Sequence, residues 1–235
     1  MLRFFRQIRK TLTEQNKVRT YILYALGEIS LVMIGILLAL QVSNWNEERI
    51  GKLEETFYLN KLAQNLAQDT TYLQNRITGL SLSIESLHQL EEEIRDVNLP
   101  EFSSDSLHFA LLTVHRFTPQ TSTMDNLIST GKLDLIQNQS LVDSLFIYYN
   151  DLNNYPEQVN TSNDTYTRET IGPRMLDMPG GIINLRKSGL SDKEEDFIIH
   201  ATELKRLINN GLRTYYVHSL NRARSIIDLI YTSME

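Results

Sequence analysis

The order of apolar and polar positions divides this chain into distinct stretches. From Tyr21 to Val42 it is almost continuously apolar, 22 residues interrupted by little more than Glu28, Ser30 and Gln41. At about 1.5 Å per helical residue such a run spans roughly 33 Å, enough to cross the hydrocarbon core of a bilayer. Beyond it the pattern turns periodic: Leu59, Leu66, Leu73, Leu80, Leu87 and Ile94 recur at every seventh position, with Leu62, Ile77, Ile84, Leu90 and Val97 three or four further on. A sustained heptad repeat predicts one long helix packed along a single seam, and the apolar run is expected to continue into it, unbroken or slightly kinked, to about Asp96. Gly79, near its middle, lowers helix propensity by about 1 kcal/mol relative to Ala. Asn98-Leu99-Pro100 should end the helix.

The rest of the pattern is also helical. Ser104 to Phe117 reads as a short amphipathic helix with Ser104 as N-cap and Leu107, Leu111, Leu112 and Val114 inward, stopped by Thr118-Pro119. Ser122 to Thr130 reads as a helix closed by a left-handed Gly131, and Lys132 to Ile136 as a turn or extended link. From Gln139, the run Leu141, Val142, Leu145, Phe146, Tyr148, Tyr149 and Leu152 predicts a strong helix to about Ile171 that Pro156 kinks or restarts. Its polar half, Asn160 to Asp164, is expected to be exposed or to face a partner. Gly172-Pro173 and Pro179-Gly180-Gly181 bracket a loop, and Ser191-Asp192-Lys193-Glu194 is a capping box opening the last helix. Along it, Phe197, Ala201, Leu204, Ile208, Leu212, Tyr215, Ile226 and Ile230 form an inward stripe to near Tyr231. The expected architecture is all-α: a transmembrane helix continuing into an up-down helical bundle with one long heptad-patterned helix.

Charge gives the apolar run an orientation. Arg3, Arg6, Arg9, Lys10, Lys17 and Arg19 against Glu14 leave +5 on the first twenty residues. The positive-inside rule then keeps that arm cytoplasmic and exports the remainder, with Arg19, Tyr21 and Trp45 anchoring the two interfaces. A cleaved signal peptide is the competing reading, but its apolar core is shorter, about 7 to 15 residues, and ends in small residues. Here the run ends Leu38-Ala39-Leu40-Gln41-Val42-Ser43, without an A-x-A pattern, which favours a retained signal anchor. Leu2, Phe4, Phe5, Ile8 and Leu12, interleaved with Arg3, Arg6, Arg9 and Lys10, make the arm amphipathic and suited to anionic lipid. Three segments follow: a cytoplasmic arm at 1–20, a transmembrane helix at 21–43 and a periplasmic domain at 44–235.

Residues 43–235 carry a net charge of −10, the wrong sign for nucleic acid, whose phosphates require cations. The chain has no cysteine, which excludes disulfides, thiolate catalysis and cysteine metal sites.

Candidate chemistry is sparse. Glu28 lies within the apolar run, where an ionised carboxylate is costly; Val32, Gly35 and Ala39 share its helical face. That combination predicts a packing seam in which small residues admit a second helix and Glu28 hydrogen-bonds across it. The competing reading is a snorkelling or protonated Glu28 among incidental small residues. His88, His108, His115, His200 and His218 match neither H-E-x-x-H nor paired Glu-x-x-His, so no metal or cofactor is expected. No G-x-S-x-G, P-loop or G-x-G-x-x-G is present. The acidic runs Glu91-Glu92-Glu93 and Glu194-Glu195-Asp196 read as solvated helix faces, and no catalytic residue is assigned. Tyr148-Tyr149 and Tyr215-Tyr216 should each place one ring inward and one sideways; the space between their helices is the expected place for any small ligand.

Tyr24-Ala25-Leu26-Gly27-Glu28-Ile29, Ile34-Gly35-Ile36-Leu37-Leu38-Ala39-Leu40-Gln41 and Asn44-Trp45-Asn46-Glu47 together resemble the N-terminal block of a family of single-pass envelope proteins of Bacteroidota whose function is unknown. Leu127-Ile128-Ser129-Thr130-Gly131-Lys132-Leu133 and Tyr148-Tyr149-Asn150 resemble it as well. The resemblance implies an inner-membrane protein with a periplasmic helical domain and supplies no activity. The expected role is a non-enzymatic scaffold or accessory subunit, bound to the bilayer and assembled as a homo-oligomer or within a larger envelope complex. Two alternatives are a periplasmic ligand sensor, which would need a separate output partner, and an enzyme with an unrecognised site.

Overall fold

In the computed structural model, residues 18–104 and 107–234 are described, with side chains from Ile22 onward, Asn153 excepted. Every regular element among them is helical. In chain order these are α1 (Val18–Arg95), α2 (Phe109–Leu112), α3 (Ser122–Ser129), a 3-10 turn (Leu133–Leu135), α4 (Gln139–Tyr166), a π-helical turn (Thr167–Ile171), α5 (Gly172–Leu176) and α6 (Asp192–Met234). Two units divide the chain, with the boundary after residue 55.

The first unit holds the apolar stretch of α1. Its most hydrophobic 18-residue window has a mean hydropathy of 2.2, and none of it is buried within the protein. It is long and apolar enough to cross a membrane. Glu28, Val32, Gly35 and Ala39 are all exposed, and nothing approaches within 4 Å of where a Gly35 side chain would begin. Trp45 is exposed too. Arg19 and Tyr21 fall within α1 without described side chains, and Arg3, Arg6, Arg9 and Lys10 lie outside the described residues.

In the second unit the heptad positions of α1 are buried as their spacing requires: Leu59, Leu66, Leu73, Leu80, Leu87 and Ile94 are each at most 3 % exposed. Leu59, Leu66, Leu73 and Leu80 pack with α3, α4 and α6 into one core around Leu127, Leu141, Leu145, Leu212 and Ile226, and a second core joins Leu87, Leu90 and Ile94 to Leu111, Met175 and Ile198. Val97, expected at the end of the seam, is 93 % exposed because α1 stops at Arg95. Lys187 holds that stop in place by donating to the carbonyls of Glu93 and Asp96, acceptors that a helix C-terminus otherwise leaves open.

Cross-helix contacts set the register. Asp69 meets Tyr148, Ser83 meets Asn209 and Glu91 meets Arg206; Asn138 meets Ser233 and Asn163 meets Lys205. Residue numbers therefore rise in opposite senses along α1 and α6, and along α4 and α6. Asn138 caps α4, its side-chain oxygen accepting from the Leu141 N–H at 3.1 Å. Ser191 and Glu194 form the capping box of α6, the Glu194 carboxylate accepting from the Ser191 N–H at 2.7 Å. Gly131 closes α3 with φ of 66°, and Lys132 N–H donates back to the Leu127 carbonyl, the six-to-one bond of a Schellman stop.

Four expectations need correction. Among the described residues, the helix expected over 104–117 is a single turn, Phe109–Leu112, with 105–106 outside them, and residues 113–121 run without regular structure; β-branched Thr113 and Val114 and the downstream Pro119 favour extended backbone there. Gly172-Pro173, expected to open a loop, instead begins the short helix α5, while α4 runs from 139 to 166 with Pro156 inside it. Asn160 and Asn163, expected outward, are at most 1 % exposed. On α6 the inward stripe runs through Thr202, Lys205, Asn209 and Tyr216, while Leu204 is 40 % exposed.

Candidate functional site

Several buried polar residues of the second unit, among them Asp69, Asn160, Asn163, Thr167 and Lys205, gather around the irregular segment 113–121, here called the strap. A segment without regular structure that packs against helices does not satisfy its own amides and carbonyls, so side chains must do so wherever it is covered. At its start Lys205 donates to the Thr113 carbonyl at 3.1 Å. Next, the Tyr216 hydroxyl donates to the His115 carbonyl at 3.3 Å and accepts from the Phe117 N–H. At its end the Gln120 N–H donates to Asp69 at 2.9 Å, while the Gln120 carbonyl accepts from Tyr149 at 3.2 Å and from Asn65 at 3.3 Å. A buried cation thus holds a carbonyl at one end and a buried anion holds an amide at the other.

Asp69 is completely buried on α1. Its second oxygen accepts from the Tyr148 hydroxyl at 3.0 Å, also buried. Burial raises its pKa to about 6, against which the Gln120 and Tyr148 hydrogen bonds work in the opposite direction. The same burial, with Asp69 alongside, pushes the Tyr148 phenol well above its usual range. No cation contacts the carboxylate among the described residues.

Lys205 is equally buried on α6. Besides Thr113, its ammonium donates to Asn163 at 2.9 Å and Thr167 at 3.0 Å, so its three protons meet three neutral oxygens. Burial lowers its pKa to about 8, and the more distant Asp164 opposes that shift. Thr167 opens the π-helical turn after α4, an irregularity often found at functional positions. Asn160 Oδ1, Asn163 Nδ2, Thr202 Oγ1 and His115 Nε2 are buried nearby without a partner among the described residues. Together with Ser83 and Asn209, these residues make a polar layer between the two apolar cores.

His115 projects from the strap onto α1, its ring seated over Gly79. A β-carbon at Gly79 would lie 2.8 Å from His115 Nδ1, so the glycine makes room for the ring. Burial, then Arg76 and Lys205, lower the His115 pKa. His108 donates to the Ile182 carbonyl at 2.6 Å, and His88 lies 3.6 Å from Glu92. No group of three or more His, Asp or Glu among the described residues is placed to hold a metal ion.

The sequence offered a signal for this site that apolar periodicity passed over. Asp69 and Ser83 sit three residues after heptad leucines, at inward positions of α1. Asn160 and Asn163 on α4, with Thr167 just after it, repeat the spacing of Thr202, Lys205 and Asn209 on α6. Polar residues in register on facing helices mark a polar layer. Chemically, the two ions satisfy the strap's backbone and have no exposed surface. Between α4 and α6 lies an open groove of about 640 Å³ lined by Tyr155, Leu207, Asn210, Thr214, Tyr215 and His218. Both Tyr148 and Tyr149 point inward, and of the later pair Tyr216 is the inner ring.

Residues 28–155, more than half of the chain, match DUF6090, a family of unknown function. The chain belongs to that family. The matched region contains Asp69, the strap, Tyr148 and Tyr149, whereas Lys205 and the rest of α6 lie beyond it. No curated protein and no solved structure matches the chain.

Proposed function

We propose that this chain is a membrane-anchored interaction protein: a signal-anchored inner-membrane subunit whose basic arm is cytoplasmic and whose up-down helical bundle is periplasmic. It assembles with itself or with a larger envelope complex through the face carrying Glu28, Val32, Gly35 and Ala39. The observation that carries the reading is the apolar window of α1, whose mean hydropathy is 2.2 while none of it is covered by protein. An uncovered apolar surface of that length needs lipid or another helix around it. Small residues beside a carboxylate supply what helix association in lipid requires, close backbone approach and a buried hydrogen bond.

The test is the mass of the protein extracted from its membrane in mild detergent. The native chain should run as an assembly, and the double substitution Glu28→Leu with Gly35→Leu should dissociate it. A double variant that keeps the native mass would remove the helix seam from the proposal.

A further inference from the structure

The strap is held differently from everything around it. The hydrogen bonds to its middle and far end come from side chains of α1, α4 and α6, and its two end pins are buried ions that contact no countercharge among the described residues. We propose that residues 113–121 form a metastable strap that opens as a unit, because opening hydrates Asp69 and Lys205, which the closed arrangement keeps dry.

The sign follows from solvation. An ionised group moved from water into the core is unfavourable unless it is paired, so the closed strap is favoured when either pin is neutral. Asp69 becomes neutral in acid and Lys205 in alkali. In the neutral range both are charged and opening is most favourable. The atoms Asn163 Nδ2, Thr202 Oγ1 and His115 Nε2, unpartnered when the strap is closed, reinforce the tendency.

The neighbouring charges are identifiable. Facing Asp69 are Tyr148 and Tyr149 of α4, with Asp125 of α3 acting on Tyr149. Around Lys205 are His115 of the strap, Asp164 of α4, and Arg76 of α1 beyond His115; the Arg206–Glu91 pair sits next to it on α6 and α1. Among these His115 works against Asp69 in acid, since its imidazole is also held neutral by the closed form.

The full-length protein in lipid nanodiscs tests the proposal by hydrogen exchange of residues 113–121, corrected for the intrinsic pH dependence of exchange. Strap amides should exchange through an opening far more frequent than the one that releases the α6 core at 216–226. With Asp69 at about 6 closed and 3.8 open, its share of the opening constant should fall about tenfold from pH 7 to pH 5. That tenfold is the expected difference between the native protein and Asp69→Asn. His115→Gln, which removes the opposing group and keeps Asp69, should show the tenfold fall directly and serves if Asp69→Asn does not fold. Strap and α6 amides opening together, equal pH dependence in native and Asp69→Asn, or a flat response in His115→Gln would each overturn the proposal.

Discussion

At position 79 an added β-carbon would collide with the His115 ring at 2.8 Å. Helix propensity taken alone favours Gly79→Ala by about 1 kcal/mol, but overpacking costs about 1–3 kcal/mol. The substitution should therefore lower the melting temperature of the native chain, whereas in a His115→Ala background it should raise it. Thermal unfolding of the two single variants and the double variant checks both signs. That glycine was visible in the sequence as a weak point of a heptad helix; its purpose was not, because His115 lies 36 positions away and reaches it only through the strap.

Elements were legible to the extent that their signals were local. The α1 leucines, the Gly131 stop and the Ser191–Glu194 box depend on spacing within one helix, and each lies where spacing places it. The helix expected over 104–117 was cut short on the same ground. Its apolar residues suit a helix, but the Asp69 and Lys205 side chains that hold the backbone at Gln120 and Thr113 come from other elements. Asn138 joins both levels, capping α4 and donating to Ser233 of α6 at 2.8 Å. Asn138→Ala should destabilise the fold by about 1–2 kcal/mol, and Asn138→Asp, which keeps the capping oxygen, should recover most of that loss in chemical denaturation.

At the scale of the whole molecule, two buried ions of opposite sign shape the response to pH. The pKa of Asp69 is raised from 3.8 to about 6, so its contribution to stability is full below pH 3.8 and lost as pH rises through 6. For Lys205 it is lowered from 10.5 to about 8, so that contribution is full above 10.5 and lost as pH falls through 8. Each shift corresponds to roughly 3 kcal/mol at full extent. The lowered pKa of His115 makes acid destabilising and runs against the Asp69 contribution, so Asp69 is read by difference: the melting temperature of the native chain relative to Asp69→Asn should rise as pH falls from 7 to 4. Melting temperatures of the two chains from pH 4 to 9 in the same detergent would show it; the same pH dependence in both would refute it.

The sequence by itself determined what depends on composition and on spacing along one helix: the apolar run of α1, the heptad seam beyond it, the caps and stops, and the absence of thiol chemistry. Tertiary structure decided what depends on distant residues meeting. It turned Asn160 and Asn163 of α4 inward against α6, laid 113–121 against α1, α4 and α6, and set a carboxylate and an ammonium at that segment's two ends. The physical reason is that a buried polar group is settled by its partners, and here those partners are separated by 29 to 126 positions.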